Sequence, residues 1–127
     1  MLRILLIGLG GFVGSILRYG LSGVAQNVAP GSVFPVGTLV VNVLGCAVLG
    51  ALSELSEARG FLSPETRLFV IVGLLGGFTT FSAFANETLN ALRDGALALA
   101  SLNVVLNVVA CLAAVWGGRM VATLLWR

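Results

Sequence analysis

Three patterns in this sequence set polar side chains inside long apolar stretches. Thr38 and Asn42 stand four residues apart, so on a helix they share one face. Asn103, Asn107 and Cys111 repeat at the same spacing. Between these two patterns lies Gly73-Leu74-Leu75-Gly76-Gly77-Phe78-Thr79-Thr80-Phe81-Ser82-Ala83-Phe84-Ala85-Asn86, a mixture of glycines, hydroxyls and aromatic rings. An asparagine amide offers two N–H donors, and an aromatic ring has a positive edge. Such uncharged groups can solvate an anion that must enter and leave quickly, where a buried arginine would hold it too tightly. Intramembrane charges are few, with Arg18 and Glu87 toward span ends, so these uncharged donors point to anion passage rather than cation or proton exchange.

Each pattern also has a packing reading, and the residues alone leave both open. Asn42 costs free energy inside an apolar span unless it is hydrogen-bonded, so it is either an anion donor or an interhelical bond. Phe78, Phe81 and Phe84 recur every third residue, which predicts one helical stripe, either packed or lining a path. Gly76-Gly77 followed by Thr79-Thr80 predicts a break in the helix, because glycine weakens a helix interior by about 1 kcal/mol and threonine bonds its own backbone. Carbonyls freed by a break at membrane depth must be buried or line a cavity. They either serve a close helix crossing or hold a small cation, as unwound segments do in transporters.

The elements that carry these residues follow from composition. The chain has 127 residues, 58% hydrophobic and 9% charged, with a mean hydropathy of +1.08. Soluble domains carry about 25% charged residues, and disordered chains need high charge with low hydrophobicity; both classes are excluded. Uncharged runs predict four helices in a single transmembrane domain over residues 1–127, with spans at about 4–25, 36–53, 68–90 and 95–124. The run after Arg3 has no clear small-residue cleavage site and is read as a retained helix rather than a signal peptide. A turn around Pro30, Gly31 and Pro35 divides the first two spans, and Ser63-Pro64-Glu65 reads as a helix start within a charged 54–67 loop.

Arg3, Arg59, Arg67, Arg119 and Arg127 fall on one side of this layout, and Arg18 and Arg93 on the other. The excess weakly favours the first side facing the cytoplasm, and insertion in both directions stays open. Gly10 with Gly14, Gly73 with Gly77, and Ala110, Ala114 and Gly118 form small-residue faces for close helix packing. Four short helices enclose little volume, so a polar path predicts a homodimer in the lipid bilayer.

Other chemistry is thin. Histidine is absent, and Cys46 and Cys111 sit in apolar stretches as small packing residues. The net charge of +2 without a basic run predicts no nucleic-acid partner. Gly8-Leu9-Gly10-Gly11-Phe12-Val13-Gly14 approaches a dinucleotide-binding turn, but Val13 stands where the third glycine belongs, so it reads as a packing face. No nucleophile–base pair suggests an enzyme. The alternatives to a channel are a small dual-topology multidrug exporter and a non-transporting structural membrane subunit. The exporter class needs an acid in its first helix, and residues 4–25 hold none.

Taken together, Gly10-Gly11 with Leu17-Arg18-Tyr19, Gly37-Thr38-Leu39-Val40-Val41-Asn42, and Gly76-Gly77-Phe78-Thr79-Thr80-Phe81-Ser82-Ala83-Phe84 resemble the Fluc/CrcB family of bacterial fluoride channels over nearly the whole chain. The resemblance implies an antiparallel, dual-topology homodimer in the inner membrane, with two fluoride pathways that export fluoride passively and confer fluoride resistance. It implies a structural Na⁺ at the dimer centre, held by the backbone carbonyls of Gly76 and Thr79 of each subunit. It also implies that Phe81 and Phe84 line the pores with their ring edges and that Asn42 donates to the ion. Thr80 and Ser82 belong to the adjoining polar track, and Arg18 stands near the first helix end, at a pore mouth. Asn103, Asn107 and Cys111 occupy the fourth-helix track, where the family often carries hydroxyls. Phe78 is not assigned to the pore.

Overall fold

The structure is a computed structural model and describes residues 1–60 and 62–126. It is all helical. We number α1 as Leu2–Val28, α2 as Val36–Arg59, α3 as residues 64–78, α4 as Phe81–Arg93 and α5 as Leu97–Leu125. Four stretches are long and apolar enough to cross a membrane: Leu2–Val28, Val36–Glu57, Pro64–Arg93 and Leu97–Leu125. The third of these is α3 and α4 together, divided at Thr79 and Thr80.

Local chemistry sets the ends. Gln26 closes the α1–α2 turn: its Nε2 donates to the carbonyls of Ser32 (3.3 Å) and Phe34 (3.4 Å), and its Oε1 accepts from the Gly37 N–H (3.2 Å). α2 stops at Gly60, whose φ of 59° is the left-handed conformation that glycine tolerates. Ser63 caps α3 by accepting from the Thr66 N–H at 3.2 Å, with Pro64 in the first turn, as the sequence predicts.

The helices extend beyond the expected spans. α2 runs past Ser53 to Arg59, which corrects the reading of 54–67 as one loop. Glu54 and Glu57 therefore lie on a helix, and both pair with Arg119 of α5 at 3.2 Å. Arg127, placed above on the arginine-rich side, lies outside the described residues.

Packing pairs alternate spans. α1 and α3 run side by side in the same direction. A Cβ at Gly10 would fall 3.0 Å from Gly73 Cα, and one at Gly77 would fall 2.9 Å from Gly11 Cα. Lipid supplies no hydrophobic drive between helices, so this close approach is what holds them. Along this contact, over Leu68–Leu75, the backbone widens into π-helical turns, a form concentrated at functional sites. The sequence predicts the later break but not this widening.

α2 and α5 also run in parallel, with a constant offset. Asn42 meets Asn107 and Glu54 meets Arg119, each pair 65 residues apart in sequence. Cys46 beside Cys111, and Gly50 against the Val115 carbonyl, occupy the rungs between. The i, i+4 stripe of each helix thus faces its counterpart.

Candidate functional site

The break is made by two extended residues, Thr79 (φ −78°, ψ 157°) and Thr80 (φ −148°, ψ 111°). In an unbroken helix the Thr80 N–H would bond the Gly76 carbonyl, and the Ala83 N–H would bond the Thr79 carbonyl. Here Thr80 N–H donates to Asn42 Oδ1 at 2.8 Å, and Ala83 N–H donates to Thr80 Oγ1 at 3.2 Å. The carbonyls of Gly76 and Thr79 are therefore deprived of their helical donors by named side chains. Thr79 keeps its own hydroxyl on the preceding turn, donating to the Leu75 carbonyl at 3.0 Å. Gly45 of α2 leaves the notch that receives the Thr79 methyl and the Phe78 ring.

Asn42 grips the break from α2. Its Nδ2 donates to the Thr80 carbonyl at 3.2 Å while its Oδ1 accepts from the Thr80 N–H. The same Nδ2 donates to Asn107 Oδ1 at 3.1 Å. Asn107 Nδ2 donates to Asn103 Oδ1 (2.9 Å) and to the Asn103 carbonyl (3.1 Å). Asn103 Nδ2 donates to Thr88 Oγ1 at 2.9 Å, and that hydroxyl donates to the Phe84 carbonyl at 2.8 Å. Asn103 and Asn107 are 1% and 5% exposed, so these two residues of α5's polar stripe are packed inside the chain, while Cys111 is half-buried.

The aromatic stripe divides. Phe78 ends α3 and Phe81 begins α4, so the break removes Phe78 from the helical repeat expected above. Phe81 and Phe84 stay together, with ring centres 5.3 Å apart at 60°. Phe84 is buried at 8% exposure, whereas Phe81 is 79% exposed beside the exposed Ser82. Thr80 Oγ1 and Ser82 Oγ are 3.3 Å apart.

The profile of the family described as "CrcB-like protein, Camphor Resistance (CrcB)" matches residues 5–119. The chain belongs to the CrcB family. A Methylobacillus flagellatus protein named "Fluoride-specific ion channel FluC" is 42% identical over 118 residues, covering 93% of this chain and 92% of its own. "Fluoride-specific ion channel FluC 1" of Methanosarcina acetivorans is 46% identical over 122 residues, covering 96% and 92%. A third relative, named "Fluoride-specific ion channel FluC" in Elusimicrobium minutum, is 50% identical over 113 residues, covering 89% and 87%. These CrcB relatives are ion channels, not enzymes, and with four candidate spans the chain is a multi-pass membrane protein.

In this CrcB chain, Arg18 lies against the break rather than at a helix end. α1 continues well past it to Val28, and Arg18 Nε donates to the Gly77 carbonyl at 3.1 Å. A cavity of about 730 Å³ opens beside it, lined among others by Arg18, Gln26, Thr38, Thr80 and Glu87. Two residues of this region, Glu87 and Thr88, have no site role in the sequence pattern, which marks Glu87 only as a charge toward a span end. Glu87 Oε1 accepts from Thr38 Oγ1 at 2.6 Å, and its Oε2 is buried without a partner among the described residues. Its signal was being the one acid inside the third span. Thr88 had no signal, since one hydroxyl in a helix is ordinary.

Metal-ligating side chains do not cluster among the described residues. The break itself offers carbonyl oxygens, which suit a hard monovalent cation, and a Cβ at Gly76 would meet nothing within 4 Å.

Proposed function

We propose that this chain forms a passive, fluoride-selective channel that lets fluoride leave the cytoplasm across a bacterial inner membrane. It acts as an antiparallel dual-topology homodimer with two pathways. The Thr79–Thr80 break carries this reading. It combines carbonyls stripped of helical donors with a paired aromatic cluster and hydroxyls immediately after it. The names of the relatives supply the ion.

A dimer is supported by what one copy leaves open. Gly76, Phe81 and Ser82 are exposed around the break. An antiparallel second copy would bring two breaks together, with Gly76 and Thr79 of each contributing carbonyls to a central Na⁺. When bound, Na⁺ supplies positive charge that neutralises the carbonyl dipoles and ties the two breaks to each other. The donor set fits it: backbone carbonyl oxygens of Gly76 and Thr79, uncharged and without their helical donors.

Fluoride is small and strongly hydrated, so several donors must offset its dehydration. The ring edges of Phe81 and Phe84 and the hydroxyls of Thr80 and Ser82 supply these along the path, while Asn42, whose two amide hydrogens are both bonded within the chain, holds the break beside the path rather than donating to the ion. Asn103 and Asn107 support Asn42 from α5, and Arg18 attracts the anion into the cavity at the break. Hydrogen fluoride enters cells as a neutral molecule and dissociates inside. A negative-inside potential then drives the anion out without an energy-coupling site.

Proteoliposomes loaded with fluoride or chloride test this, with a potassium ionophore to relieve the voltage and selective electrodes outside. Fast fluoride release with chloride retained is expected. Retention of both ions by dimeric protein with Na⁺ present would overturn the channel reading and favour a structural subunit.

A further inference from the structure

The amide chain from Asn42 to Phe84 has one permitted direction, and that direction starts at the break. The Thr80 carbonyl can only accept and its N–H can only donate. Asn42 must therefore turn Nδ2 to the carbonyl and Oδ1 to the N–H. Nδ2 then also serves Asn107, which has to present Oδ1. The Asn103 backbone carbonyl independently demands Nδ2 from Asn107 on its other side. Two fixed backbone groups, on α5 and at the break, thus force the same orientation on Asn107. Asn103 and Thr88 continue the chain in the same sense to the Phe84 carbonyl.

We infer that Asn107 and Asn103 are positioning residues: they act on conduction only through Asn42 and the break it holds, and they do not touch the ion. This rests on the fluoride-channel reading above and specifies how these two residues serve Asn42 within it. Both Nδ2 hydrogens of Asn107 face Asn103, its Oδ1 faces Asn42, and its side chain is buried. No donor remains on Asn107 for an anion. Its contribution is to occupy one Asn42 hydrogen, which leaves the other for the Thr80 carbonyl. The chain also ties the break to α4 through Thr88, so the segment bearing Phe81 and Phe84 and the segment bearing Asn42 share one brace.

A double-mutant cycle separates this from direct contact with the ion, because residues that act through one group are not additive. Fluoride efflux is measured from proteoliposomes of the parent, Asn107→Leu, Asn42→Ser and the double variant. The parent must conduct; if it does not, the channel reading fails rather than this one. Asn107→Leu is expected to slow efflux about tenfold, the effect of one lost buried hydrogen bond on a barrier. The double variant is expected to match Asn42→Ser within about twofold. Losses that multiply in the double variant, or full conduction by Asn107→Leu, would overturn the inference.

Solid-state nitrogen spectra of labelled protein in bilayers give a second reading that does not depend on residual flux. In Asn107→Leu the side-chain nitrogen of Asn42 and the amide of Thr80 are expected to shift together. Unmoved resonances would overturn the brace. Should Asn107→Leu fail to assemble, Asn103→Ala acts one link further out. It is expected to shift the same two resonances by less, and an absence of any shift would count against the chain.

Discussion

The side-chain amide of Asn42 and the peptide of Thr80 hydrogen-bond in both directions, at 3.2 Å and 2.8 Å. Asn42 therefore stands in for the turn of helix that the break removes. A buried, unpaired peptide group costs about 1–3 kcal/mol, so one side chain from α2 makes the extended Thr79–Thr80 backbone tolerable at membrane depth.

Replacing Asn42 by Asp should stop conduction. An ionised carboxylate would face two acceptors, the Thr80 carbonyl and Asn107 Oδ1. A protonated one carries a single hydrogen and still leaves one of them unpaired. We expect fluoride efflux at neutral pH to fall at least about tenfold, the factor for a barrier change near 1.4 kcal/mol. Unchanged efflux would remove Asn42 from its role in holding the break.

Phe81 touches the Phe84 ring with its own and is otherwise open, at 79% exposure. Phe81→Ile should therefore abolish fluoride flux while the protein elutes as the parent does. Normal flux would take the ring off the pathway.

Sodium should be required. With Na⁺ replaced by a large organic cation during purification and assay, efflux is expected to fall and to return when Na⁺ is restored. Full efflux in rigorously Na⁺-free conditions would leave the Gly76 and Thr79 carbonyls without the proposed ion.

Gly50 tests the α2–α5 contact independently of ions. A Cβ there collides with the Val115 backbone, whereas a Cβ at Gly117 meets nothing within 4 Å. Gly50→Ala should cost about 1–3 kcal/mol, as overpacking does, and lower the unfolding midpoint in detergent. Gly117→Ala, outside that contact, should leave the midpoint near the parent's.

The sequence by itself determined the class, the number of spans and the position of the break. Those depend on local quantities: uncharged length, glycine's weak helix propensity and threonine's competition for backbone bonds. It also exposed the polar stripes at 38 and 42 and at 103, 107 and 111, because four-residue spacing marks one face of any helix. Partnership is not a local quantity. Only the tertiary structure decided that these stripes face each other at a fixed offset of 65 residues, which turns Asn103 and Asn107 inward onto Asn42. It also decided that Arg18 reaches the break through Gly77 and that Phe78 leaves the aromatic repeat. An asparagine's spacing is the same whether its amide meets an ion or another asparagine. The choice belongs to the neighbouring helix, whose register is set by Gly50 and Gly118 several turns away.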